Sequence, residues 1–154
     1  MGHITLEHKL RHHAFTAGME EPQIAALLPL ITEVTFLDDE LILVDGQHSK
    51  AFYLLISGSV AVELRTPRFS VAVQALGPGQ VFGWSALLQN QDTLFQVRAR
   101  ERTTALRIES SALQAACQAD PTLAAEVFRR TLHVAAGRVR ATEIRFAEMC
   151  GVRI

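Results

Sequence analysis

Cysteine and net charge are both scarce in this chain of 154 residues, and each scarcity removes a class of protein. The two cysteines, Cys117 and Cys150, show no Cys-x-x-Cys or Cys/His spacing, which argues for a reduced pair rather than a disulfide scaffold or zinc site. A net charge of −1 gives no bulk attraction to nucleic acid or to anionic lipid. Long apolar runs are missing too. Segments such as Ala51–Ile56 fall far short of the roughly 20 residues that cross a bilayer, so no membrane partner is expected. The N-terminus carries His8, Lys9, Arg11 and His12 with no apolar stretch after them, so no secretory signal is expected and the location reads as cytoplasmic. GxSxG, HExxH and P-loop patterns are absent. A metal-dependent jelly-roll enzyme needs clustered His and Glu ligands, but the strand region supplies only His48. His8 and His12 stand four apart without a third ligand and read as solvated. The chain therefore reads as a non-enzyme with no resident metal or cofactor.

Apolar residues make up 49% of the chain, enough for one full core and a single domain over residues 1–154. Residues 1–32 read as N-terminal helices. Pro22 suits a first helical turn, and Ile24, Leu27, Leu28 and Ile31 recur at helical spacing, predicting a helix to about Ile31. Between residues 33 and 109 the period drops to two. Val60, Val62 and Leu64 alternate with Ala61 and Glu63, and Phe69, Val71, Val73 and Ala75 repeat the pattern of strands with one buried face. Many short strands punctuated by Asp45-Gly46, Ser57-Gly58-Ser59 and Gly77-Pro78-Gly79 predict a mainly β, α+β jelly roll. Over residues 110–149 the pattern is helical again. Ser110 or Ser111 can cap a short helix to about Ala119, and Asp120-Pro121 starts a long one running to about Met149.

The stretch Gly77-Pro78-Gly79-Gln80-Val81-Phe82-Gly83-Trp84-Ser85-Ala86-Leu87-Leu88 reads as a short strand, a glycine turn and one helical turn. Unpaired N–H groups at such a helix start make a seat for an anion. Together with Tyr53-Leu54-Leu55-Ile56-Ser57-Gly58-Ser59-Val60 and Val97-Arg98-Ala99, it closely resembles the cyclic-nucleotide-binding domain family, from about Pro22 to Met149. The resemblance implies a roll of eight strands between N-terminal helices and a long C-terminal helix, and a cyclic nucleotide as candidate ligand. It implies contacts from Phe82, Gly83, Trp84, Ser85, Ala86, Leu87, Thr93 and Leu94, with Arg138 and Val139 at the positions that reach the base. The family's cassette carries a Glu for the ribose hydroxyl, where this chain has Trp84. It carries an Arg for the phosphate, where this chain has Thr93 beside Asp92. Losing both bonds weakens a cyclic nucleotide by roughly 10²–10⁴-fold. Trp84 has two readings: its ring stacks on a flat ligand, or it plugs the vacated ribose space. Arg98 and Arg100 share one strand face and read as solvated, with an anion contact as the alternative.

Along the long helix, Ala125, Phe128, Leu132, Ala135, Val139, Thr142, Phe146 and Met149 step by three and four. That heptad seam predicts a parallel homodimer, the alternative being a helix packed only on its own roll. Arg129, Arg130, Arg138, Arg140 and Arg145 scatter round the helix, and Glu126 and Glu143 are spaced to pair with them. Transcription factors of this family carry a helix-turn-helix domain after this helix. Here only Cys150–Ile154 follow, so direct DNA binding by that route is not expected. The resulting expectation is a regulatory module that binds a cyclic nucleotide or other small anion, dimerises and is read by an effector protein. The alternative is a degenerate scaffold whose pocket Trp84 blocks.

Overall fold

The computed structural model describes residues 4–88 and 95–153. Helix α1 (Leu6–His12) starts where Thr5 Oγ1 accepts the His8 N–H at 3.2 Å. Helix α2 (Glu21–Leu27) opens on a capping box between Glu20 and Gln23, with Pro22 in its first turn. It ends earlier than its periodicity predicts. Pro29 has no N–H to continue the helix, so Leu28–Leu30 tighten into a 3₁₀ turn. Ile31 is therefore not helical; it begins strand β1 (Ile31–Phe36), opposite Ile108.

Seven more strands follow: β2 (Leu41–Leu43), β3 (Ala51–Ser57), β4 (Val60–Arg65), β5 (Ser70–Leu76), β6 (Val81–Phe82), β7 (Gln96–Ala99) and β8 (Thr103–Glu109). They form two antiparallel four-stranded sheets, ordered β1-β8-β3-β6 and β2-β7-β4-β5. This is the expected jelly roll with flanking helices. The β3–β4 turn depends on Gly58, whose φ is +86° and where a Cβ would lie 2.5 Å from the Arg102 carbonyl oxygen.

The one-face pattern fails on two strands. On β4 the second face is covered as well: Glu63 is only 5% exposed, because Gln96 Nε2 and Arg98 Nε donate to its Oε1 at 2.9 and 3.2 Å. On β5 Val71 and Ala75 are exposed, as is Phe69 just before it. That strand is an edge, and a bulge near Val62/Glu63 shifts its register, so alternation there does not report burial.

After β8 the chain enters α3 (Ser110–Ala119) and α4 (Pro121–Met149). Neither Ser110 nor Ser111 caps α3; both lie inside it, Glu109 precedes it, and Ser110 Oγ donates instead to Ala86 O at 2.6 Å. Asp120 does cap α4, accepting the Thr122 and Leu123 N–H groups. Two apolar clusters result. One joins Leu10, Phe15, Ile24, Leu27, Leu113, Leu123 and Val127 of the helical parts to Phe52, Leu54, Val81 and Leu106. The other fills the roll with Tyr53, Leu55, Val60, Val62, Phe82 and Val97. Cys117 is buried, Cys150 is exposed, and both are free.

Candidate functional site: a cavity between the cassette turn and the C-terminal helix

Strand β6 pairs with β3, placing Phe82 opposite Tyr53, and their rings stack at 4.7 Å. The next residue must be glycine. Gly83 has φ +79°, and a Cβ there would lie 2.4 Å from the Ala51 carbonyl oxygen. Residues Trp84–Leu87 then form a 3₁₀ turn, closed by Ala86 N–H to Gly83 O and followed by Leu88 N–H to Ser85 O, both at 3.0 Å. The Trp84 and Ser85 N–H groups precede the first closing bond and have no acceptor within the turn. From behind, α3 holds the turn in place: Ser110 Oγ and Gln114 Nε2 both donate to Ala86 O, at 2.6 and 2.8 Å.

In front of the turn lies a cavity of about 650 Å³. Phe82, Gly83, Trp84 and Ser85 line one end of it. Val62, Val73, Phe95 and Val97 supply an apolar wall, while Ala135, Arg138, Val139, Thr142 and Phe146 close it from α4. Ala86 and Leu87 are not among its lining residues. Ala86 is buried and Leu87 packs against the helical cluster, so they support the turn instead. Trp84 is half-buried, packs against the same cluster and forms part of the cavity wall beside the open space. Thr93, Leu94 and the neighbouring Asp92 lie outside the described residues.

Arg138 is the cation at this cavity. An Nη2–H donates to the Val81 carbonyl, and Gln74 Nε2 donates to the Arg138 carbonyl at 3.3 Å, tying α4 to the roll. Burial draws the guanidinium pKa down to about 10, which leaves it charged at neutral pH. Among the described residues no carboxylate pairs with it. Arg98 and Arg100 are elsewhere. Arg98 is half-buried against Glu63 at 3.2 Å, so it is not simply solvated; Arg100 is exposed as expected, 3.8 Å from the same carboxylate, and neither lines the cavity.

Sequence reasoning found Phe82, Gly83, Trp84, Ser85 and Arg138, which the fold brings to one cavity. It missed Phe95, Val73, Gln74 and Glu143 as lining residues, although the alternation on β4 already turned Val62 inward. Glu143 makes no ion pair among the described residues, whereas Glu126 binds both Arg129 and Arg130, at 2.6 and 2.5 Å. His8 and His12 stack at 3.9 Å between ring centroids. Among the described residues no group of three His, Cys, Asp or Glu is arranged for a metal, and no helix is long and apolar enough to cross a membrane.

Along α4, Leu123, Val127 and Thr131 face the protein. The heptad positions do not: Leu132 is 70% exposed and Met149 85% exposed, with Phe128, Val139 and Phe146 also open. Over the first half of α4 the seam is thus distinct from the buried face, whereas further along Ala135, Val139, Thr142 and Phe146 border the cavity in front of the roll.

Residues 33–120, more than half of the chain, match the family model of the cyclic nucleotide-binding domain. Among solved structures, the chain is similar to a cyclic nucleotide-binding domain from Methylobacillus flagellatus, at 16% identity and a TM-score of 0.82, covering 93% of this chain and 83% of that one. It is similar to the catabolite activator protein of Thermus thermophilus, at 20% identity and a TM-score of 0.70, over 89% of this chain and 63% of that one. A third likeness is the regulatory subunit of a cAMP-independent protein kinase A from Trypanosoma brucei, at 20% identity and a TM-score of 0.66, over 79% of this chain and 44% of that one. At these identities the structures establish a shared fold. No curated protein matches the sequence.

Proposed function

The chain belongs to the cyclic nucleotide-binding domain family, and from that premise we propose that it is a regulatory, non-catalytic module. It takes a cyclic nucleotide, or another small anionic ligand, into the cavity between Phe82–Ser85 and α4. The observation that supports this most is the cavity itself. It stays open at about 650 Å³ beside Trp84, it is mainly apolar, and one half-buried cation lies in its wall. Such a space suits a flat heterocycle on one side and an anion on the other.

The proposed output is a homodimer formed along the α4 seam, because an apolar heptad stripe left open to water gains from pairing. Ala135, Val139, Thr142 and Phe146 belong to both the seam and the cavity wall, so occupancy and pairing share side chains. An effector protein reads the dimer, and the module works in the cytoplasm.

Calorimetry with cAMP, cGMP and cyclic dinucleotides tests the reading. Binding at micromolar concentrations that is lost when Val73→Trp fills the cavity is the expected result. Heat from none of these ligands, together with a stable dimer, would favour a scaffold instead.

A further inference from the structure

A guanidinium carries five N–H donors in a rigid fork that matches an anion's oxygens. Arg138 gives one Nη2–H to a neutral carbonyl, that of Val81. Several neighbouring cations are committed elsewhere, and Arg145, whose Nη2–H reaches the Ala72 carbonyl at 3.5 Å, is exposed and does not line the cavity. Arg130 is held by Glu126 and by the Phe15 and Ala17 carbonyls, at 2.5, 2.6 and 2.7 Å. Arg129 is held by Glu126, and Arg98 and Arg100 by Glu63. Among the described residues, Arg138 is the only Lys, Arg or His that lines the cavity. The one carboxylate in that lining, Glu143, is exposed and sits five residues further along α4. Its field is screened by water, whereas that of the more buried guanidinium is screened less. Among the described residues this half-buried cation has only a carbonyl partner and is poorly compensated, and an entering anion offers a charge-assisted bond about twice as strong.

We infer that Arg138 reads the charge of the ligand: it fixes the phosphate from α4, the helix that also carries the seam, rather than from the cassette loop. This rests on the cavity being the ligand site, as proposed above. Binding then exchanges the Val81 carbonyl for a phosphate oxygen at the guanidinium, so ligand charge acts on the link between α4 and β6.

Paired titrations of the full chain test it, comparing cAMP with adenosine and cGMP with guanosine, in wild type, Arg138→Gln and Arg138→Lys. Wild type is expected to prefer a cyclic nucleotide to its nucleoside by about tenfold to a hundredfold. Arg138→Gln should bring that preference close to one by weakening the nucleotide alone, and Arg138→Lys should keep part of it. Both variants should unfold near the wild-type temperature, since a glutamine amide or a lysine ammonium still offers a donor to the Val81 carbonyl. An unchanged preference in Arg138→Gln overturns the inference and leaves the ligand reading intact. Wild type binding nucleoside and nucleotide alike overturns it as well. No binding of any of the four overturns the ligand reading, and the inference with it.

Discussion

The two sides of β6 are built to different standards. Val81 enters the helical cluster, whose centre at Leu10, Leu113 and Leu123 is wholly or almost wholly buried, with a second cavity of about 780 Å³ only at its margin beside Phe15, Gln80 and Val81. One residue on, Phe82 points the other way, into the roll, where packing stops short and leaves a cavity walled by α4. The period of two in a strand is enough to separate them. The closed side supplies rigidity, and it holds the cassette turn through Ser110 and Gln114. The open side keeps room, apolar wall and a poorly paired cation. Stability and binding thus reside on opposite faces of the same two residues.

The contrast breaks most visibly under truncation. Leu123→Ala on the closed side should cost about 2–5 kcal/mol in urea unfolding, because the cluster cannot collapse round the gap. If it costs under about 1 kcal/mol, that side is not closed. The cap that starts α4 should matter less: Asp120→Ala is expected to lose about 1 kcal/mol by the same measurement.

An acid titration probes the closed side by another route. Its buried His13 interacts through Nε2 with Leu55 O at 2.9 Å and accepts the Phe15 N–H on Nδ1 at 3.0 Å, an arrangement for the neutral ring. Burial pushes its pKa down, partly opposed by the Leu55 bond. A lowered pKa in the fold means that the unfolded chain takes up the proton first. Stability is therefore full above about pH 6.5 and falls as pH drops below it, levelling off once the folded ring also titrates. Thermal unfolding between pH 7 and 5 should show this slope, and His13→Gln should flatten it. A slope unchanged in that variant would assign it to other groups.

The smallest effects on stability are expected on the open side. Leu132→Arg on the seam should shift protomer stability by no more than about 0.5 kcal/mol while halving the mass seen by light scattering. A dimer mass that survives the change would sink the seam as an interface. Val73→Trp should leave the unfolding temperature almost unchanged, because its ring enters space that is already empty, and yet remove ligand binding. A large loss of stability there would show that the cavity collapses in solution.

Much of the fold was legible locally. Pro22, Asp120-Pro121 and Gly58 marked the right boundaries because each encodes backbone geometry without help from distant residues. The end of α2 was misread because Leu28 and Ile31 kept the helical spacing, although Pro29 had already withdrawn a donor. Glu63 was misread because two residues more than thirty positions away cover it. In the site, Phe82 and Gly83 were legible as a motif. Phe95 and Glu143 were not, since nothing near them signals that their elements converge.

Local sequence, then, determined the roll, the cassette turn and the heptad stripe, because strand period, positive φ at glycine and helical spacing are properties of neighbouring residues. Only the tertiary structure decided that Trp84 leaves the cavity open and that Arg138 has no carboxylate partner among the described residues. It also decided that the seam parts from the buried face in the first half of α4 and borders the cavity in the second. Each of those depends on desolvation and packing among segments far apart in the chain, which no local pattern records.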